Sequence, residues 1–109
     1  MSKPSDLVQG TLDLLLLKIL ALQAMNGYAI SLRLKQVSGD VLQVSDGSLY
    51  PALQKLLLNG WVKATWTTSE SGREVREYRL TAGGRKQLDT ALAEYRRTSQ
   101  AIDLVLHSA

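Results

Sequence analysis

Leucines at positions 12, 14, 15, 16, 17, 20 and 22 crowd residues 7–24 and reach almost every side of a helical cylinder. A helix that is apolar all round is normally central and covered by other elements. Asn26-Gly27 interrupts this pattern, and Asn26 is a good N-cap for a second helix over residues 27–38. Tyr28, Leu32 and Leu34 form the apolar side of that helix, and Gly39 is placed to stop it. After a short connection, Ser45-Asp46-Gly47-Ser48 announces a third helix with Leu49, Leu53, Leu56 and Leu57 at helical spacing, ending at Asn59-Gly60. Proline fits a first helical turn and breaks later ones. Pro51 therefore leaves two alternatives: Ser48 is the cap, or the opening turn is irregular. The start lies between Asp46 and Leu49.

The periodicity then changes. Val62, Ala64 and Trp66 alternate with Lys63 and Thr65 over residues 61–67, the mark of a strand with one buried face. Residues 68–73 form a polar loop. Residues 74–80 predict a second strand, with Tyr78 and Leu80 on one side and Glu77 and Arg79 on the other. Thr81 caps a long last helix over residues 82–107, with Gly83 and Gly84 in its first turn, where their cost is lowest. Along that helix Leu88, Leu92, Tyr95, Ser99, Ile102 and Leu106 step by four, three, four, three and four, a heptad seam broken only by Ser99. Ala91 and Val105 widen the stripe, while Arg85, Lys86, Asp89, Arg96 and Arg97 suit the water-facing side. The leucines of the first and third helices already fill a three-helix bundle. The seam therefore predicts a second copy of the chain as its partner, against the alternative that the helix folds back on its own bundle.

Helix, helix, turn, helix and hairpin is the order of a winged helix-turn-helix. The expected fold is mainly α with a two-stranded β-hairpin: residues 1–81 form the winged domain and residues 82–109 a C-terminal dimerisation helix. A plain small α+β domain is the competing reading of the same order. The third helix docks its apolar face inward and leaves its other face free to enter a major groove.

The residues add a more specific signal. Gly10-Thr11-Leu12-Asp13 with Gly27-Tyr28, then Gly47-Ser48-Leu49-Tyr50-Pro51-Ala52-Leu53 with Leu56 and Gly60-Trp61-Val62, resemble the signature of the PadR family of transcriptional regulators. The second half of that signature is matched by Gly72-Arg73, by the run Arg76-Glu77-Tyr78-Arg79-Leu80-Thr81, and by Gly84. The resemblance covers residues from about 7 to 88, and the single short C-terminal helix is similar to the smaller PadR-like subgroup. It implies a homodimeric winged-helix regulator, usually a repressor, often responsive to a small aromatic or cytotoxic compound. Two features depart from the expectation. Lys55 is the only basic group on the third helix, and Glu70, Glu74 and Glu77 lie among the wing arginines.

Composition narrows the field around this reading. The net charge of +3 permits a polyanionic partner without requiring one. With no cysteine, disulfides, zinc–thiolate sites and cysteine nucleophiles are excluded. Residues 7–24 are interrupted by Gln9, Asp13, Lys18 and Gln23, so they read as a core helix rather than a membrane span or a signal peptide, and the expected location is cytoplasmic. His107 is the sole histidine and has no Ser or Cys partner in a motif. No phosphate loop, metal-ligand spacing or apolar carboxylate pair is present, so neither catalysis, a metal nor a cofactor is expected.

Double-stranded DNA is the expected partner. Phosphate neutralisation requires cations at the edge of the reading surface, and Arg73 and Arg76 near the wing tip are the best candidates, with Arg33 and Lys35 on the second helix beside the groove. Arg79, farther down the strand, pairs instead with Glu77 or Glu74. Ser48, Gln54 and Lys55 can hydrogen-bond base edges or phosphates. Tyr50 and Tyr28 can offer hydroxyls, and Gly47 allows close approach of a DNA strand. Leu88, Leu92, Tyr95, Ile102 and Leu106 are the dimerisation set. Trp61 and Trp66 could stack a flat ligand but read more readily as core. The functional alternative is a winged-helix protein-interaction module that never touches DNA.

Overall fold

The computed structural model describes residues 11–108. Their order is α1 (Leu12–Leu22), β1 (Met25–Asn26), α2 (Gly27–Val37), α3 (Asp46–Leu58), β2 (Val62–Thr68), β3 (Glu74–Leu80) and α4 (Ala82–Leu106). The architecture is the expected winged helix-turn-helix, mainly helical, with a hairpin and a long terminal helix. The part of the first helix predicted before residue 11 lies outside the described residues. The hairpin carries one addition: β1 pairs antiparallel with β3, giving a three-stranded sheet of order β1-β3-β2.

One apolar core ties these elements together. Leu16 and Leu17 of α1, Ile30 of α2, Leu49, Leu53 and Leu56 of α3, and Val62 of β2 are essentially inaccessible. Burying one such side chain stabilises the fold by about 1.5–3 kcal/mol. α1 is less fully enclosed than its composition predicts: Leu12, Leu16, Leu17, Ile19 and Leu20 are buried, while Leu22 is exposed.

The buried side of α2 differs from the expected one. Gly27, Ile30 and Leu34 face the core, whereas Tyr28 and Leu32 face out. Residues two apart on a helix point about 200° from each other, so the Tyr28–Leu32 and Ile30–Leu34 rows cannot both be buried. The aliphatic row wins, and the Tyr28 ring is left to solvent. At the start of α2 the Asn26 side chain accepts a hydrogen bond from the Ala29 amide at 2.8 Å, the expected cap.

The start of α3 is set by Ser45, not Ser48. The Ser45 side chain accepts from the Ser48 amide at 3.3 Å, and the helix runs through Pro51. Because proline has no N–H, the Gly47 carbonyl four residues earlier receives no helical hydrogen bond from it. α3 closes in a Schellman arrangement: the Gly60 amide, at φ +74, donates to Leu57 and the Trp61 amide to Leu56, both at 3.0 Å.

Gly84 has a role beyond a tolerated first-turn residue. It is buried where α4 crosses the start of β2, and a β-carbon there would lie 2.7 Å from Leu80 Cδ1 and 2.9 Å from the Trp61 carbonyl carbon, beside the Trp61 oxygen. Gly83 meets nothing closer than Thr81 Oγ1 at 3.7 Å. Thr81 completes the joint by accepting from the Gly84 amide at 2.9 Å and donating to the Gly60 carbonyl at 2.7 Å. We predict that Gly84→Ala destabilises the fold by about 1–3 kcal/mol through overpacking against backbone. Gly83→Ala should be neutral or stabilise by up to about 1 kcal/mol through helix propensity. Urea unfolding of the two variants reads the contrast directly.

Candidate nucleic-acid interface

The hairpin register sorts its side chains onto two faces. Val62 lies opposite Leu80, Ala64 opposite Tyr78, and Trp66 opposite Arg76, all on one face, while Lys63, Thr65, Glu77 and Arg79 occupy the other. The first face is core at its root, where Val62 and Tyr78 are buried, and opens toward the tip, where Trp66 is 68% exposed. There it looks across a concavity of about 690 Å³ toward α3 and the start of α2.

Tyr28, Tyr50, Gln54, Arg73 and Arg76, all candidates from the sequence, line this concavity together with Trp66. Among the described residues, no carboxylate lines it. The wing glutamates, which cloud the picture in the sequence, are thus kept out of it. Glu77 sits on the opposite face, 3.7 Å from Arg79, so Arg79 is engaged where one sequence alternative put it.

Tyr50 is held by a missing side chain. A β-carbon on Gly27 would fall 2.6 Å from the Tyr50 hydroxyl and 2.9 Å from two of its ring carbons. The ring therefore rests on the bare backbone at the start of α2. Burial, then the Asp46 carboxylate one turn earlier, then Tyr78 push the Tyr50 hydroxyl above its ordinary value near 10. It stays protonated and able to donate a hydrogen bond across the neutral pH range.

Arg76 is held by two rings. Its guanidinium carbon is 5.9 Å from the centre of the Trp66 ring and 5.8 Å from that of Tyr78, within cation–π range of both. Arg73 closes the loop at residues 69–73, where the Ser69 amide donates to its carbonyl at 2.7 Å and Gly72 takes the left-handed φ of +84.

The remaining candidates are arranged differently. Lys55 is tied to α1, its ammonium 2.7 Å from Asp13. Arg33 and Lys35 are exposed on α2 but do not line the concavity. Gly47 has room beside it, since a β-carbon there would meet only Ser45 Oγ, at 3.8 Å. The Ser48 hydroxyl accepts a 3.4 Å hydrogen bond from Ser45 within the cap. Trp66 is the residue the sequence reading misplaced: its alternation with Val62 and Ala64 is real, but the face leaves the core before reaching it. Pairing the strands backward from Val62 and Leu80 sets Trp66 opposite Arg76, and that is the signal that could have marked it.

The seam on α4 emerges gradually from the chain's own core. Leu88 is buried in that core rather than free for a partner, Leu92 is half-buried, and Tyr95, Ile102 and Leu106 are exposed. Leu92 and Tyr95 join Leu14, Leu15 and Leu42, together with Lys18 and Arg96, in lining a mainly apolar groove of about 510 Å³ between α1 and α4. No helix among the described residues is long and apolar enough to cross a membrane.

Comparison with known proteins fits this geometry. An uncharacterised protein of Lysinibacillus sphaericus is 26% identical over 102 residues, 94% of each chain. A transcriptional regulator from Clostridium thermocellum superposes with a TM-score of 0.83 at 26% identity, over 91% of this chain and 96% of its own. A PadR-like transcriptional regulator from Bacillus cereus does so with a TM-score of 0.80 at 25% identity, over 96% of this chain and 100% of its own. The model of the transcriptional regulator PadR-like family matches residues 16–90. The chain therefore belongs to the PadR-like family of transcriptional regulators, the family its helix-turn-helix and wing motifs resemble.

Proposed function

We propose that the protein is a repressor that binds double-stranded DNA as a homodimer. Residues 1–81 are the reading head and residues 82–109 the dimerisation arm. In each head, α3 enters the major groove and the sugar–phosphate strand runs through the concavity between α3 and the wing. Two copies related by a two-fold axis read an inverted repeat with half-sites about one helical turn, roughly 34–36 Å, apart. The observation that carries this reading is the concavity itself, whose described lining offers two arginines and tyrosine hydroxyls and no carboxylate. Such a surface suits a polyanion better than a cationic partner.

The roles divide by chemistry. Arg73 and Arg76 neutralise phosphates, and Tyr50 and Tyr28 donate hydroxyls to them. Gln54 and Ser48 face base edges from α3, while Gly47 lets the strand approach the start of that helix. Arg33 and Lys35 flank the groove from α2, and Lys55 contributes by fixing α3 to α1 through Asp13. A protein holding its operator this way excludes other proteins from the same DNA, and works in the cytoplasm, where that DNA is. The apolar groove between α1 and α4 suits a small aromatic effector, because binding beside the arm would change the separation of the two heads.

Replacing Arg73 or Arg76 with Ala should weaken binding to all duplexes and reduce the slope of log K against log salt by about one unit for each phosphate no longer neutralised. Fluorescence anisotropy of a labelled duplex over a salt series measures this. A slope unchanged by Arg76→Ala would remove the wing from the backbone.

Tyr50→Phe should weaken binding by about 10- to 100-fold, the contribution of one hydrogen bond to a charged group. Because the Tyr50 pKa is raised, the effect should be constant between about pH 6 and 9, below the range in which a tyrosine titrates. Gly27→Ala should weaken binding at least as much, since it displaces the same ring. A wild-type advantage that fades within that pH range would show Tyr50 acting as something other than a donor.

The arm is tested by Leu92→Asp with Ile102→Asp. Two carboxylates buried in the seam should give monomers at micromolar concentration that keep their helical content and lose high-affinity binding. Leu88 is left untouched, because its side chain belongs to the core of its own chain. Sedimentation showing an intact dimer would put the interface elsewhere.

A further inference from the structure

The chain has two tryptophans with opposite circumstances. Trp61 is half-buried against the core at the end of α3, and its carbonyl receives the Thr81 amide at 3.0 Å. Trp66 is 68% exposed on the wing and contributes little to the core. A large apolar ring left in water on a β-strand calls for a reason beyond stability.

Its surroundings supply one. Trp66 stands on the inner face of the wing, opposite Arg76 in register, on the wall of the concavity that faces α3. The Arg76 guanidinium lies over the Trp66 and Tyr78 rings, which limits how far that long side chain can wander. Past Arg76, most of the ring remains uncovered and borders the same space as Tyr28 and Tyr50. The wall thus offers a flat apolar plate next to a fixed cation. The duplex backbone has the same alternation: an apolar deoxyribose face next to a phosphate.

We propose that Trp66 is a DNA-contact residue: its ring packs against a deoxyribose of the strand running between wing and α3, and it positions Arg76 for the adjoining phosphate. The proposal rests on the DNA reading above and adds to it a side chain that carries no charge and no base-reading group. Two consequences separate it from a merely structural role. The Trp66 ring becomes covered when duplex binds. Its removal lowers affinity without lowering stability, because the free protein leaves the ring in water.

The experiment uses the full chain and a mixed-sequence 30-base-pair duplex at about 50 mM salt, where backbone contacts dominate and no operator is needed. Tryptophan emission and iodide quenching are recorded with and without saturating duplex, for the wild type and for Trp66→Phe, in which Trp61 alone emits. The expected result is an emission change and protection from iodide in the wild type, both absent in Trp66→Phe. Trp66→Ala should bind several-fold more weakly by anisotropy, from lost apolar burial against the sugar and a looser Arg76, with little change in the unfolding midpoint. Trp66→Phe should retain most of the affinity. Combining Trp66→Ala with Arg76→Ala should weaken binding by less than the product of the two single effects, because each single change already disturbs the same phosphate interaction. Duplex binding that leaves Trp66 emission and iodide access untouched, or Trp66→Ala binding as tightly as wild type, overturns this inference and leaves the DNA reading standing. A wild-type chain that fails to bind the duplex even at low salt overturns both.

Discussion

Tyr78 is gripped from three sides, and the placement of the whole concave surface follows from that. It is buried in the core, paired with Met25 of β1 on one flank and with Ala64 of β2 on the other. β3 is thereby the middle strand of a sheet whose outer members lead to the other working parts. β1 runs into α2 without a linker, since Asn26 is at once the last residue of the strand and the cap of the helix. β2 follows α3 after the tight stop at Asn59, Gly60 and Trp61. An isolated two-stranded hairpin is marginal in water. Joined to β1 and anchored by a core tyrosine, this one becomes a wall at a fixed distance from α3.

Close backbone approach is the second constraint, met twice by the absence of a side chain. Gly27 lets the Tyr50 ring lie on the start of α2, which joins the two helices at the rim of the concavity. Gly84 lets the first turn of α4 press on the Trp61 carbonyl, so the long helix leaves the head in one direction. The two approaches have different consequences. The first can yield by moving a tyrosine, at a cost to the shape of the concavity. The second abuts backbone and can yield only by moving a helix, at a cost in stability.

Much of this was legible in the sequence because it depends on local signals. The helix periods, the Asn26 and Thr81 caps, the glycine stops and the alternation of both strands set element order and most boundaries, and the PadR-like motifs marked the family. The misplacements share a cause: each turns on which of two equivalent faces meets the core. α2 carries two apolar rows, and only packing against α1 and α3 selects Ile30 and Leu34 over Tyr28 and Leu32. Trp66 continues an apolar alternation whose core ends one pair earlier. Leu88 fits a heptad seam equally well whether it faces a partner or its own bundle. β1 is two residues long and exists only because β3 offers it an edge, so no local pattern announces it. At the site, the paired register of the hairpin puts Arg76 beside Trp66 on the inner face and Glu77 with Arg79 on the outer one, a sorting that composition alone obscures.

The distribution of charge on a single head bears on why a dimer would be needed. Lys55 and Arg79 are engaged by Asp13 and Glu77, which leaves Arg73 and Arg76, among the described residues, as the cations on the concave wall. Two phosphate contacts correspond to a salt slope of only about −1.8, against about −3.6 for two heads acting together. In the proposed dimer, so modest a charge on each head leaves the affinity to draw also on shape, on tyrosine hydroxyls and on a second head held in phase. Holding it in phase is a mechanical task, and α4 is suited to it. Its first turns are welded to the core through Gly84 and Leu88, while its far half projects with Ile102, Leu104, Val105 and Leu106 uncovered. A rigid root and an apolar free end are what an arm needs if it is to transmit a fixed spacing to two reading heads. In the proposed dimer, any ligand that shifted the α1–α4 groove would act on DNA binding through that spacing, without touching the DNA surface.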